Sequence, residues 1–315
     1  MIQVENLTKR YGQHVAVDAI DFTVETGEIL GFLGPNGAGK TTTMNILTGY
    51  ISATEGKAMI NGIDVLEQPE EAKKMIGYLP EFPPLYGDMI VTEYLDFVSD
   101  IKGVTGSDRK KSMEKIMDLV KIGDVRGRLI KNLSKGYKQR VGLAQCLIGN
   151  PEVLILDEPT VGLDPKQIIE IRNLIKDLGK DHTVILSSHI LPEVSAVCER
   201  VIIINKGKIV ASDTPENLSK GLAGSSKLNL RIAGPEKQIM KAINELPGIQ
   251  YLESQGSREP GTIDVVVEAD PNVDIRRPLF NAMSRASYPI LMMKSMDLTL
   301  EEIFLQVTTQ EKEVG

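Results

Sequence analysis

Tryptophan is absent from this 315-residue sequence, and aromatic residues of all kinds make up only 4% of it. Because proteins that bind single-stranded nucleic acid stack the bases on aromatic side chains, so low a share argues against that function. A basic surface is lacking as well, since the net charge is −7 and the isoelectric point is near 5.3. We therefore expect no nucleic-acid partner.

Cysteines and long apolar runs are also scarce. The two cysteines, Cys146 and Cys198, lie in apolar-periodic segments without C-x-x-C spacing, which favours reduced core residues over a redox or metal role. No window approaches the about 18 apolar residues of a membrane-spanning helix, and the N-terminus does not resemble a signal peptide. We expect a cytoplasmic protein, so that any role at a membrane requires a partner that spans it.

Short apolar strands alternate with helical stretches as far as about residue 212, which is typical of an α/β sheet. The predicted strands are Glu28–Leu33, Met75–Leu79, Val153–Leu156, Thr183–Ser187 and Arg200–Ile204. The predicted helices are Lys40–Thr48, Asp108–Lys121, Ser134–Gly149 and Pro165–Leu178. This pattern predicts one α/β domain over residues 1–215.

The composition changes after residue 215, where a short helix and a Gly/Ser-rich stretch over 216–226 indicate a linker. Four strands are predicted beyond it: Lys227–Ala233, Ile249–Glu253, Thr262–Glu268 and Ile290–Ser295. Helices are predicted after Pro235, over Asp274–Ser287, and at the end over Thr299–Val307. The order βαββαβ predicts a small ferredoxin-like α+β accessory domain over 227–315.

A glycine-rich loop, G-P-N-G-A-G-K-T-T, lies between a predicted strand and a predicted helix. In that context it matches a Walker A phosphate loop, whose glycines let successive N–H groups point at phosphate oxygens. We expect Lys40 to act on the β/γ-phosphates of ATP and Thr41 to offer its hydroxyl to Mg²⁺; the alternative is an accidental glycine-rich turn. The nucleotide-binding residues would be Gly34, Pro35, Asn36, Gly37, Ala38, Gly39, Lys40, Thr41 and Thr42.

Two carboxylates follow the apolar strand Val153–Leu156, at the edge where open α/β sheets place their ligands. Asp157 is expected to hold Mg²⁺. Glu158 is expected to orient and deprotonate the attacking water, a role worth roughly 10²–10⁴ in rate. The alternative, two carboxylates in a solvated turn, fits a continuously apolar strand poorly. The residues therefore predict an ATPase.

Four further motifs follow in order: L-S-K-G-Y, P-E-V-L-I-L-D-E-P-T, G-L-D-P and S-S-H. This set resembles the ATP-binding cassette (ABC) family over about residues 1–215, with L-S-K-G-Y standing where the family has its L-S-G-G-Q signature. The resemblance implies a P-loop NTPase with a RecA-like core and a helical subdomain at about 85–150. It also implies a dimer of two copies packed head to tail.

Individual roles follow from the resemblance. Ser134 and Gly136 would cap the ATP that is held by the Walker loop of the second copy. Tyr11 is similar to the aromatic residue that stacks on adenine, although an ordinary surface tyrosine is the alternative. Asp164 resembles the D-loop aspartate, against a simple helix cap. His189 resembles the catalytic switch histidine that contacts the γ-phosphate.

Two positions depart from the pattern of the family. The signature has Lys135 and Tyr137 where the family has Gly and Gln, and Glu81 stands where the family usually has the Q-loop glutamine. We expect Glu81 to ligate Mg²⁺ or hold water, although its charge near the γ-phosphate leaves that role open. His14 and His182 lack such a context and are interpreted as surface residues.

The resemblance extends to a subgroup of exporter subunits, of the daunorubicin-resistance, sodium-efflux and gliding-motility-associated types. It implies a peripheral protein on the cytoplasmic face of the membrane, whose partners are a membrane-spanning permease subunit and a second copy of itself. The permease would dock at Leu79–Tyr86 and the helices at about 90–130. The alternatives are a soluble ABC ATPase acting on DNA or ribosomes and a nonhydrolytic regulatory module. The C-terminal domain is expected to be a dimer-contact or regulatory domain, or only a stabilising appendage.

Overall fold

The structure is a computed structural model that describes residues 1–106, 108–221, 226–270 and 273–295. The chain divides into two compact units, Met1–Pro215 and Glu216–Gly315. Throughout the described ranges, every helix is too short or too polar to cross a membrane.

The strands of the first unit form two sheets. In chain order they are β1 (Ile2–Tyr11), β2 (His14–Val24), β3 (Ile29–Leu33), β4 (Glu55–Ile60), β5 (Ile63–Asp64), β6 (Ile76–Leu79), β7 (Val153–Asp157), β8 (Thr183–Ser188), β9 (Arg200–Asn205) and β10 (Lys208–Asp213). An antiparallel sheet has the order β2-β1-β4-β5, and the larger sheet has the order β10-β9-β3-β8-β7-β6. All pairs in the larger sheet are parallel except the edge pair β10–β9.

The helices of the chain up to residue 221 lie between these strands and after them. They are α1 (Lys40–Leu47), α2 (Pro69–Lys74), α3 (Val91–Ile101), α4 (Asp108–Leu119), α5 (Lys135–Leu147), α6 (Pro165–Leu178), α7 (Leu191–Ser195) and α8 (Pro215–Gly221). The predicted α/β pattern is confirmed: the five predicted strands and four predicted helices are all present, with ends shifted by at most two residues. The antiparallel sheet, β10 and the helices α2 and α7 were not predicted, whereas α3 lies in the helical region expected at about 90–130.

One hydrophobic core fills the space between the antiparallel sheet, α1 and one face of the parallel sheet. Phe32 of β3 is fully buried in it and packs against Phe22 of β2, with 5.6 Å between the ring centroids. Each such side chain contributes about 1.5–3 kcal/mol by leaving water. On β3, Gly31 leaves room for α7, because a Cβ there would lie 2.0 Å from Cγ1 of Val194.

The register of the parallel sheet determines where the functional loops lie. Leu33 at the end of β3 pairs with Ser188 at the end of β8, and Asp157 at the end of β7 pairs with Ser187. The three strands therefore end side by side at their carboxyl ends. Consequently the glycine-rich loop, the two carboxylates and His189 emerge at one edge of the sheet.

The second unit has the predicted order βαββαβ. Its elements are β11 (Ser226–Ala233), α9 (Glu236–Asn244), β12 (Ile249–Ser254), β13 (Thr262–Ala269), α10 (Arg276–Arg285) and β14 (Ile290–Ser295). The sheet is antiparallel with the order β12-β13-β11-β14, which is the ferredoxin-like arrangement. Apolar residues of both helices, such as Ile239 and Leu279, pack with those of the strands in one core. The helix predicted over Thr299–Val307 lies outside the described residues.

Both cysteines are core residues, as predicted. Cys146 and Cys198 are buried and free. Burial raises the pKa of the Cys146 thiol to about 12 and raises that of Cys198 as well, so both thiols stay protonated at neutral pH.

Candidate functional site

The glycine-rich loop connects β3 to α1 in a conformation that its glycines permit. Gly39 has φ of 111°, and a Cβ there would lie 2.5 Å from the carbonyl oxygen of Ala16. At Gly34 a Cβ would lie 2.5 Å from the carbonyl oxygen of Ile204. The helix begins directly after Gly39, so the N–H groups of its first turn have no intrahelical acceptor and form an anion site.

The side chain of Lys40 turns back over this loop and is only 6% exposed. Its Nζ donates to the carbonyl oxygen of Gly34 at 2.8 Å and to that of Pro35 at 3.3 Å. The same atom lies 3.4 Å from Oε1 of Glu158. The ammonium group is therefore held beside the first turn of α1, with a carboxylate as its counter-ion.

Asp157 is the last residue of β7 and is fully buried. Its Oδ1 accepts a hydrogen bond from the hydroxyl of Ser187, whereas its Oδ2 is buried and has no hydrogen-bond partner among the described residues. Burial raises the pKa of this carboxyl, although the nearby hydroxyls of Ser187 and Thr41 oppose the shift. An unpaired buried carboxylate oxygen is costly unless a cation or donor meets it.

Asp157 and Thr41 line the same cavity, so a carboxylate and a hydroxyl oxygen face one space. Hard oxygen donors of this kind suit Mg²⁺, which proteins usually bind through one or two carboxylates plus substrate phosphates. The residues present therefore fit a magnesium ion.

Glu158 follows Asp157 and has the left-handed φ of 49°, a conformation that costs about 1–2 kcal/mol in a non-glycine residue. Its N–H donates to the carbonyl oxygen of Ser187 at 3.2 Å and to its Oγ at 3.1 Å, which holds the turn. Oε2 of its buried carboxylate lies 2.9 Å from Nδ1 of His189. Glu158 thus stands between the cation of Lys40 and the imidazole.

A cavity of about 590 Å³ joins these groups. Most of the predicted nucleotide and catalytic residues line it, namely Tyr11, Asn36, Gly37, Gly39, Lys40, Thr41, Thr42, Glu81, Glu158 and His189. His14 lines it too, and the sequence interpretation missed that position although His14 is exposed, as expected for a surface residue. His14 reaches the cavity because it pairs with Tyr11 across the hairpin of β1 and β2, which the sequence interpretation did not predict.

A second cavity of about 590 Å³ shares Thr41 and Glu81 with the first. It is lined by Asp157 and by aromatic residues that include Tyr50 and Phe82, which are 78% and 72% exposed. Glu81 therefore forms part of the boundary of both cavities. The sequence predicted Glu81 as a metal or water ligand, and no contact in the structure tests that role.

The signature residues lie elsewhere on the chain. Ser134 is the N-cap of α5, where its exposed Oγ accepts the N–H of Tyr137 at 3.4 Å. Asp164 is the N-cap of α6 and accepts the N–H of Gln167 at 2.9 Å. Gly136 and Asp164 line a separate cavity of about 340 Å³. The structure therefore does not place Ser134, Gly136 or Asp164 in the cavity of Lys40.

His182 was predicted to be a surface residue, and that prediction is wrong. The residue is only 8% exposed, and its Nδ1 lies 2.7 Å from the carbonyl oxygen of Pro151. It directly precedes β8, which is buried along its whole length, so the chain carries it into the interior. The apolar run that follows His182 could have indicated this burial.

A strand–loop–helix unit with a buried lysine, followed by two carboxylates at the end of a neighbouring parallel strand, defines a P-loop nucleotide site. A family model for ABC transporters matches residues 17–161. The chain is 30% identical over 309 residues to the linearmycin resistance ATP-binding protein LnrL of Bacillus subtilis, and the alignment covers 98% of each chain. It is 40% identical over 213 residues to the uncharacterized ABC transporter ATP-binding protein YhcH of Bacillus subtilis, which covers 67% of this chain and 68% of YhcH.

Among solved structures, the chain is similar to MJ0796, a bacterial ABC transporter cassette determined as a dimer. The TM-score is 0.63 at 26% identity, and the match covers 68% of this chain and 98% of that one. The chain therefore belongs to the family of ABC transporter ATP-binding proteins and is an ATPase.

Proposed function

We propose that two copies of this chain pack head to tail around two molecules of Mg·ATP and drive a separate membrane-spanning permease, as the ATPase subunits of an exporter. One observation carries the proposal: the chain presents two halves of a phosphate site in different places. Lys40, Glu158 and His189 meet in one cavity, whereas Ser134 caps the exposed start of α5 elsewhere. The start of α5 is an anion site that the chain's own phosphate loop does not use.

The described contacts support the following catalytic roles. The β- and γ-phosphates of ATP bind at the first turn of α1 and attract Lys40, which then leaves Glu158. The carboxylate of Glu158, oriented by His189, accepts a proton from the attacking water. At the same time the oxygen of that water forms a bond to the γ-phosphorus. The bond from that phosphorus to the β–γ bridging oxygen breaks, and ADP departs with the electron pair.

Thr41 and Asp157 are the proposed ligands of Mg²⁺, which supplies neutralisation of the charge on the phosphate oxygens. Glu81 is proposed as a further ligand, direct or through water, because it lines the cavities of both Lys40 and Asp157. Tyr11, half exposed at the rim, is the proposed platform for adenine. The ammonium of Lys9 lies 5.2 Å from the centroid of its ring, which helps to fix the ring in place.

The proposed permease contact is the surface around the second cavity. Tyr50 and Phe82 line that cavity and are 78% and 72% exposed, and Tyr86, which ends the segment Leu79–Tyr86, is 53% exposed. Exposed aromatic side chains are enriched at protein interfaces. The name of LnrL describes a resistance protein, and its alignment over 98% of both chains supports an exporter rather than an importer. We place the assembly on the cytoplasmic face of a membrane.

The alternative, an ABC ATPase that acts on DNA or ribosomes, is not favoured. A DNA-repair type would carry a long coiled coil between its phosphate loop and its signature. Between Lys40 and Ser134 the longest described helix is α4, with 12 residues. A ribosome-acting type would carry two cassettes, and this chain has one Walker A loop.

Glu158→Gln tests the proposed dimer, because it preserves nucleotide binding while removing the base. With ATP and Mg²⁺ we expect this variant to elute as a stable dimer in size-exclusion chromatography with light scattering. Adding Ser134→Ala should return it to monomer, since the cap on the partner's γ-phosphate is lost. Ser112→Ala, at an exposed serine of α4, is the matched control and should leave the dimer intact. A Glu158→Gln chain that stays monomeric with saturating ATP would contradict the proposal.

A further inference from the structure

Glu193 is a buried carboxylate on α7 that lies outside the cavity of Lys40. It is 4% exposed. Its Oε2 accepts a hydrogen bond from the hydroxyl of Thr160, and the hydroxyl of Ser188 lies 3.4 Å from the same oxygen. Its Oε1 lies 4.0 Å from Nη2 of Arg172. Three separate segments therefore meet on one side chain.

Each partner belongs to a segment that carries a functional residue. Thr160 is two residues after Glu158, Ser188 directly precedes His189, and Arg172 lies on α6, which begins after Asp164. Ser188 has two further bonds: its Oγ accepts the N–H of Ile190 at 3.0 Å, and its carbonyl oxygen accepts the N–H of Gly34 at 3.3 Å. The phosphate loop is thus hydrogen-bonded to one of the residues that contact Glu193.

This arrangement is poorly suited to increasing stability. A buried carboxylate costs several kcal/mol to desolvate, and an arginine 4.0 Å away recovers little of it. Nε of Arg172 is itself buried and has no hydrogen-bond partner among the described residues. An apolar side chain at position 193 would serve stability equally well. The carboxylate instead provides one shared acceptor for the hydroxyls of Thr160 and Ser188. These two residues lie on the segments that carry Glu158 and His189.

We propose that Glu193 is a positioning residue for hydrolysis, an inference that rests on the proposed function. By accepting from Thr160 and Ser188, it fixes the separation of the two segments just beyond the ends of β7 and β8. That separation determines the 2.9 Å contact between Oε2 of Glu158 and Nδ1 of His189. Glu193 does not line the cavity of Lys40, so it controls the rate of the chemical step and not the affinity for ATP.

The test compares kcat, KM and nucleotide affinity in Glu193→Ala and Glu193→Gln. The alanine variant should lose roughly 10–100-fold in kcat, because displacing the base by a fraction of an ångström is enough. Its KM and its affinity for a fluorescent ATP analogue should change by less than about twofold. The glutamine variant keeps an oxygen acceptor for Thr160 and should recover most of the rate.

A double-mutant comparison separates positioning from a merely structural role. If Glu193 acts through the Glu158–His189 pair, Glu193→Ala should add little to the loss already caused by His189→Ala. Glu28→Ala is the matched control, since Glu28 is a largely buried carboxylate paired with Arg200 near the opposite end of β3. It should lower the melting temperature, leave kcat unchanged and combine additively with His189→Ala.

Thr160→Val keeps the inference testable if Glu193→Ala does not fold, because it removes only the donor hydroxyl. It should reproduce the loss of kcat with unchanged KM. Full kcat in folded Glu193→Ala or in Thr160→Val, or a loss fully additive with His189→Ala, would overturn the positioning role. If the positioning role fails in this way but Glu158→Gln is inactive, the proposed function is unaffected. Full hydrolysis by Glu158→Gln would overturn the proposed function itself.

Discussion

At the residue scale, the site depends on a few charged side chains that the fold keeps away from water. Lys40 and Glu158 are both buried and lie 3.4 Å apart, so each neutralises the charge of the other, and the proposed phosphate would compete for the lysine. Among the described residues, Oδ2 of Asp157 has no hydrogen-bond partner, and the proposed Mg²⁺ would supply one. The chemistry of the site would therefore depend on phosphate and a cation replacing these internal contacts.

The role of Glu81 can be tested through the Mg²⁺ dependence of the ATPase activity. If it ligates Mg²⁺ directly or through water, Glu81→Ala should raise the Mg²⁺ concentration for half-maximal ATPase activity roughly tenfold. The affinity for nucleotide measured without Mg²⁺ should stay unchanged or increase, since a negative charge near the γ-phosphate is removed. Glu71→Ala, at an exposed carboxylate of α2, is the control for loss of one surface charge. An unaltered Mg²⁺ dependence in Glu81→Ala would refute the ligand role.

The sequence identified residues whose chemistry is encoded in short motifs. Lys40, Asp157 and Glu158 were found because strand, loop and helix follow each other locally. Glu193 and Thr160 were missed because their contact joins positions 33 residues apart whose proximity depends on packing. No spacing rule predicts which buried glutamate accepts from which hydroxyl.

At the scale of elements, α7 determines how the segment after β8 packs on the central strand. Cγ1 of Val194 occupies the space that a Cβ at Gly31 would need, and Sγ of Cys198 lies 3.1 Å from the same point. The close approach lets α7 lie against β3 and β8 within a few residues of His189. A glycine on a buried strand therefore has a packing reason here.

Gly31→Ala tests that packing. The added methyl group should cost about 1–3 kcal/mol, because α7 must move away from β3. We expect a lower melting temperature and faster amide hydrogen exchange in Leu191–Ser195. Gly127→Ala is the control: a Cβ there meets no atom within 4 Å and its φ is not positive, so stability should be unchanged or slightly higher. Equal melting temperatures for Gly31→Ala and Gly127→Ala would show that α7 accommodates the added methyl group without a loss of stability.

In the first unit, the strands that were easiest to predict are those buried on both faces. β3, β7 and β8 are buried at every position, so each reads as a short continuous apolar run. β1 and β2 were missed because they are long, half exposed and irregular. Asn6 and Ala19 have positive φ, and the register of the pair shifts at several points, which disrupts the alternation of apolar and polar residues.

At the scale of the whole molecule, the second unit has an ionic cluster of its own. Asp264 is buried on β13 and accepts from Nε and Nη2 of Arg231 at 2.7 and 3.0 Å. Nε of Arg258 lies 3.2 Å from the same carboxylate. The hydrogen bonds from Arg231 are the main cause that lowers the pKa of Asp264 below its ordinary value.

This shift predicts acid sensitivity in the second unit. Because the folded pKa of Asp264 lies below its unfolded value, its stabilisation is present above about pH 4 and is lost as the pH falls through the folded pKa. Hydrogen exchange in Thr262–Ala269 of the full chain should be faster in Asp264→Asn than in the wild type at neutral pH. The difference should shrink as the pH is lowered from about 5 toward about 2. A difference that is constant over this range would exclude titration of Asp264 as its origin.

The order of elements in both units was predictable, because each segment has its own periodicity and turn residues. How the strands pair was predictable for βαββαβ, where connection rules leave few arrangements. The antiparallel sheet of the first unit was not, since β4 returns to pair with β1 across a separation of more than 40 residues.

Because Ser134 lies outside the cavity of Lys40, ATP turnover by the proposed assembly depends on two chains meeting, and therefore on their concentration. Under the proposal, a solitary chain would bind ATP but lack the group that closes over the terminal phosphate, so dilution would abolish its ATPase activity. Two chains bound to one permease, as proposed, would experience a high effective concentration of each other. Under the head-to-tail arrangement, ATP expenditure in the cell is therefore governed by the number of completed membrane assemblies, and surplus free chains consume almost none.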